Sequence, residues 1–93
     1  MNIEDMLIKV IDKIDLVTDK FYLQKQAEGY TLLDEVLKDL GTVMDAMILA
    51  GFDVTKILNV LGMAMDALEK RDSILLADIL QYEVKEQLQA AIN

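Results

Sequence analysis

Cysteine, histidine, proline and tryptophan are all missing from this 93-residue chain. Without cysteine there is no disulfide framework, no thiolate nucleophile and no Cys-ligated zinc or iron–sulfur site. Without histidine the commonest general base, the usual zinc ligand and the main pH switch near neutrality are gone. A Ser-His-Asp triad and a Glu-x-x-His di-iron bundle are excluded on the same ground. Catalysis would have to be assembled from Asp, Glu, Lys, Tyr and Ser. The sequence offers no catalytic residue, no cofactor-binding residue and no metal ligand set, so the expectation is a non-enzymatic protein without a cofactor.

Positive charge is also scarce. Eight Lys and one Arg stand against seventeen acidic residues, a net charge of −8. The basic residues are scattered, with only Lys70 and Arg71 adjacent. A nucleic-acid binder concentrates its basic residues in a patch, and an anionic membrane surface repels an acidic chain. Neither partner is expected. The longest uncharged run, Ile57 to Met65, has nine residues, whereas a membrane span needs about 18 or more. The first residues, Met1 to Met6, are acidic where a secretory signal would be basic. A single cytoplasmic domain is expected, with its acidity serving solubility or a basic partner.

What the chain does have is apolar content, 54% of its residues, arranged at helical spacing. Ile3, Leu7, Val10, Ile14, Val17 and Phe21 are spaced 4-3-4-3-4, a heptad seam. Tyr30, Leu33, Leu37, Leu40, Met44 and Met47 form a second stripe, and Val54, Leu58, Leu61, Met65 and Leu68 a third. The fourth, Leu76, Leu80, Val84, Leu88 and Ala91, is broader, with Leu75, Ile79 and Tyr82 beside it. No sustained strand alternation is present.

Breaks are fewer than stripes. Gly51 suits a left-handed helix end and Asp53 a following N-cap. Lys70-Arg71-Asp72-Ser73 places cations at one helix end and a cap at the next start. For the first break, Gly29 ahead of Thr31 is preferred, and Thr18-Asp19 is the alternative. The resulting helices span about 2-27, 31-50, 54-70 and 73-92. Short connections make neighbours antiparallel, which predicts an all-α, antiparallel up-down-up-down four-helix bundle. A three-helix or domain-swapped dimeric bundle is the alternative. Equal distances from the turns place Gly41, Gly62, Tyr82 and Val17 in one layer. Gly41 and Gly62 are expected to let the second and third helices approach closely, with Tyr82 packed beside Gly62.

Asp recurs inside the helices, at Asp12, Asp15, Asp34, Asp39, Asp45, Asp66 and Asp78. A carboxylate cluster for a hard divalent cation is one reading. A solvated face is the other, and the i,i+4 pairs Asp5-Lys9, Asp34-Lys38 and Asp66-Lys70 favour it. Asp78 and Glu83 sit among apolar residues, so one of them half-buried against a tyrosine hydroxyl or a lysine is one reading; the preferred one has both at the edge of the bundle and solvated, because Asp and Glu are seldom fully buried. The fourth helix is apolar around much of its circumference, so a partner or a homodimer seam is expected to cover it. Met63, off its stripe, joins Leu75, Ile79, Tyr82 and Glu83 as the candidate partner-binding face. The expected partner is a protein presenting an amphipathic helix, or a second copy.

The stretch Ala67-Leu68-Glu69-Lys70-Arg71-Asp72-Ser73-Ile74-Leu75-Leu76-Ala77-Asp78-Ile79-Leu80-Gln81-Tyr82-Glu83 resembles the C-terminal part of a family of small uncharacterised bacterial helical proteins. The shared pattern is Leu-Ala-Asp, an apolar residue, Leu, any residue, Tyr-Glu. The resemblance implies a helical fold and no particular activity. In size and hairpin pattern the chain is also similar in class to small flagellar export chaperones.

Overall fold

In the computed structural model, which describes residues 2–92, the chain is helical with no strand among the described residues. Helix α1 is Ile3–Tyr22, α2 is Gln26–Leu49 and α3 is Thr55–Glu69. Helix α4 runs over 73–92 in three parts: Ser73–Ile79, a π-helical turn Leu80–Val84, and Lys85–Ile92. The 24 residues of α2 rise about 36 Å at about 1.5 Å each, matching the 37 Å long axis of the molecule.

Three of the four helix starts have a local cause. Asn2 accepts a hydrogen bond from the Asp5 amide at 2.8 Å, and Asp72 accepts one from Leu75 at 3.0 Å. Asp53 accepts from the Thr55 amide at 3.0 Å. The Thr55 side chain first, and then this amide bond, hold the Asp53 carboxyl below the usual range, with Lys56 nearby adding to the effect.

All three connections share one geometry. The second residue after each helix adopts a left-handed conformation, and its amide and the next one fold back onto the last carbonyls. In the first turn Gln24 and Lys25 donate to Phe21 and Lys20, at 3.1 and 2.8 Å. In the second Gly51 and Phe52 donate to Ile48 and Met47, at 3.0 and 2.9 Å. In the third Arg71 and Asp72 donate to Leu68 and Ala67, at 3.0 and 3.1 Å. The left-handed residues are Gln24 (φ 62°), Gly51 (φ 87°) and Arg71 (φ 58°).

The second and third breaks fall where the sequence placed them. The first does not: α1 ends at Tyr22, and Gly29 lies inside the first turns of α2. Neither Gly29 nor Thr18-Asp19 is a helix stop. Gly29 serves packing instead, because a Cβ there would stand 2.6 Å from Cε1 of the Phe21 ring.

The four helices form the expected antiparallel bundle. Helices α1 and α2 pack along their length, α3 packs on α4, and α1 joins the two pairs by packing on α4. The heptad stripe of α1 is the spine of the core: Leu7, Val10, Ile14, Val17 and Phe21 are fully enclosed. Across the α1–α4 seam runs a polar ladder. Lys85 Nζ donates to Asp15 Oδ1 at 2.7 Å, Thr18 Oγ1 lies 3.3 Å from Gln81 Oε1, and the Tyr22 hydroxyl donates to Asp78.

The π turn follows from the spacing of the α4 stripe. Leu76, Leu80, Val84 and Leu88 are all fully buried, yet they recur every four residues. An ideal α-helix advances about 100° per residue, so a strict period of four drifts about 40° at each step. The wider π turn absorbs that drift and returns Val84 and Leu88 to the core.

The close approach of α2 and α3 does not occur. Gly41 and Gly62 are exposed, and a Cβ at either would meet nothing within 4 Å. Tyr82 is 64% exposed and does not pack beside Gly62. The reason lies in which face of α3 is buried. Ile57, Val60, Ala64 and Ala67 are enclosed, whereas on the predicted stripe Leu58 is exposed and Leu61, Met65 and Leu68 are only partly buried.

Candidate docking groove

Helix α3 carries two apolar faces. Ile57, Val60, Ala64 and Ala67 recur at 3-4-3 spacing and are buried. Leu58, Leu61 and Met65, also at helical spacing, are not: Leu58 is 54% exposed, and the other two are half-buried. Helix α2 behaves in the same way. Leu33, Val36, Leu40, Val43 and Met47 are buried, whereas Leu37 is half-buried and Ile48 is 55% exposed. The second face of each helix points at the other, but the backbones make almost no close approach.

Between them lies an apolar groove of about 350 Å³. Leu40 and Met44 form its floor, Leu37 and Ile48 one wall, and Leu58, Leu61 and Met65 the other. Gly41 and Asp45 edge it on the α2 side. Successive residues turn about 100°, which places exposed Asp34 and Lys38 on the same edge as Asp45. The same register places exposed Gly62, Asp66 and Glu69 along the α3 edge. Lys38 pairs with Asp34 at 3.6 Å, so the edges are acidic in sum.

A second groove, of about 250 Å³, lies between α1 and α2 and has a charged lining. It is lined by Met6, Lys9, Val10, Thr42 and Val43, and the Lys13–Asp39 ion pair lies across it. The Asp39 carboxylate, through its hydrogen bond and its charge, raises the Lys13 ammonium above its ordinary range. This pair ties α1 to α2 and leaves the α2–α3 groove as the apolar one.

The residues marked from sequence are dispersed. Ile79 is only 7% exposed and belongs to the core. Leu75 (43%) and Tyr82 (64%) are exposed on α4, as is Glu83. Met63 is exposed at 48%, but it lies about 140° around α3 from Leu58, away from the groove. Tyr82 is instead close to Tyr22, whose hydroxyl donates to the half-buried Asp78. Burial first, and then this bond, push the Tyr22 hydroxyl well above the usual tyrosine range. The preferred reading, both carboxylates in solvent, holds for Glu83 but not for Asp78, which is half-buried and meets a tyrosine hydroxyl. The groove residues Leu58, Leu61, Met65 and Leu37 all lie on the sequence stripes, which mark apolar faces without saying what covers them.

Among the described residues no group of three or more acidic side chains gathers to hold a metal ion. No helix of the described residues is long and apolar enough to cross a membrane. The family described as Domain of unknown function (DUF8042) matches residues 1–93, and the chain belongs to it. Neither a curated protein nor a solved structure matches the chain.

Proposed function

We propose that this member of the DUF8042 family is a non-enzymatic protein–protein interaction module that docks an amphipathic helix in the α2–α3 groove. The observation behind this reading is the second apolar face of α3. Large side chains at Leu58, Leu61 and Met65 stand at helical spacing opposite Leu37 and Ile48 and are only partly covered, while Ile57, Val60, Ala64 and Ala67 form the buried face of α3. A groove walled by two helices takes a third helix by its apolar stripe, with anchors at i, i+3, i+4 and i+7. Both edges carry a glycine, Gly41 and Gly62, with open space where a Cβ would project. A mid-helix glycine costs about 1 kcal/mol relative to alanine, and room for a docked helix accounts for that cost. The carboxylates support the solvated reading over a divalent-cation site: Asp15 and Asp39 are held by lysines of neighbouring helices. A chaperone-like role would use the same groove.

The test is methyl-resolved NMR of the Ile, Leu and Met side chains during titration with a Leu-striped helical peptide. Saturable shifts at Ile48, Leu58, Leu61 and Met65 support the reading. Shifts confined to Ile74 and Leu75 would move the site to α4, and no saturable shift would refute helix docking.

A further inference from the structure

We infer that the occupant of the groove is an amphipathic helix whose apolar stripe is flanked by Lys or Arg, supplied by a different protein. This rests on the docking reading above and adds the chemistry of the partner. The argument is charge complementarity along the edges. On the α2 side stand Asp34 and Asp45, with Lys38 already paired to Asp34. On the α3 side stand Asp66 and Glu69. All four carboxylates are exposed and flank an apolar floor. A helix lying in the groove brings its flanking positions against these edges, where cations are attracted and anions repelled.

The same charges argue against a second copy. Two identical grooves meeting face to face would oppose acidic edges, in chains that each carry a net charge of −8. Length is also defined. The α2 wall from Leu37 to Ile48 rises about 17 Å, so about three turns of a partner helix fill the groove.

The experiment uses two fluorescent peptides of about 16 residues, long enough for those three turns. Both carry the same Leu stripe, one flanked by Lys and the other by Glu. Anisotropy titrations with the full chain should give at least about tenfold tighter binding of the Lys peptide at low salt, narrowing to about threefold or less at 0.5 M salt. The exposed-edge double variant D45K/D66K should reverse the preference. The exposed-wall variant Leu58→Lys should weaken both peptides, with circular dichroism showing each variant folded. Equal affinity for the two peptides, with Leu58→Lys still weakening both, overturns the basic-partner inference and leaves helix docking standing. No binding of either peptide refutes docking and the inference together. A concentration-dependent dimer in sedimentation that Leu58→Lys dissociates makes a second copy the occupant and overturns the inference.

Discussion

The Phe21 ring occupies the space where a Cβ on Gly29 would stand, 2.6 Å from its Cε1 atom. The ring is fully buried and meets Tyr30 edge-on, with centroids 5.0 Å apart. It is fixed by the core and by Tyr30, so it cannot swing aside without opening a void. Gly29→Ala therefore sets an overpacking cost of about 1–3 kcal/mol against a helix-propensity gain of about 1 kcal/mol. The expected outcome is a net loss of about 1 kcal/mol, read as a lower urea midpoint with unchanged slope.

Gly41→Ala and Gly62→Ala should have the opposite sign. Both glycines are helical, exposed and free of neighbours within 4 Å of a new Cβ. Each substitution should raise stability by about 0.5–1 kcal/mol. Thermal unfolding of the three alanine variants side by side checks the contrast. A destabilised Gly41→Ala would mean that α2 and α3 sit closer together than the open groove allows.

The three helix ends show what the sequence made legible and what it hid. Gly51 announced its turn because glycine is the residue that adopts a left-handed conformation without steric cost. Gln24 adopts the same conformation at φ 62° with nothing in its chemistry to mark it, and the nearby glycine signal, Gly29, belongs to packing instead. The four-residue period of Leu76, Leu80, Val84 and Leu88 is visible in the sequence, but a π turn is needed to keep all four in the core. The groove was hidden by degeneracy: the apolar spacing of Leu58, Leu61 and Met65 is what a core face also shows. The face that is buried, Val60, Ala64 and Ala67, is made of smaller residues and carries the weaker signal.

The cost of a non-glycine left-handed residue gives a further prediction. Such a conformation costs about 1–2 kcal/mol in a residue with a Cβ, part of which glycine returns through its greater unfolded-state freedom. Gln24→Gly should stabilise the chain by up to about 1 kcal/mol. Arg71→Gly should gain less, because the Arg71 guanidinium lies 5.6 Å from the Tyr30 ring centroid and that cation–π contact would be lost. Chemical denaturation of the two variants, ranked against each other, is the measurement.

The Tyr22–Asp78 bond predicts a defined alkaline response. Burial and the carboxylate hold the Tyr22 hydroxyl protonated above its ordinary pKa of about 10. In the unfolded chain the same hydroxyl ionises near pH 10, so from there upward the unfolded state releases a proton that the folded state keeps. The stabilisation is complete below pH 10 and is lost as the pH rises through the folded value. Tyr22→Phe removes this linkage together with the hydrogen bond. Near neutrality the variant should be less stable by about 0.5–1 kcal/mol, a modest figure because the pair is partly exposed to solvent. Above pH 10 the difference between the two proteins should shrink. Ultraviolet absorbance titration should show a late ionisation step from Tyr22 in the native chain that Tyr22→Phe lacks. If that late step persists in the variant, the hydroxyl held by Asp78 is not the group responsible.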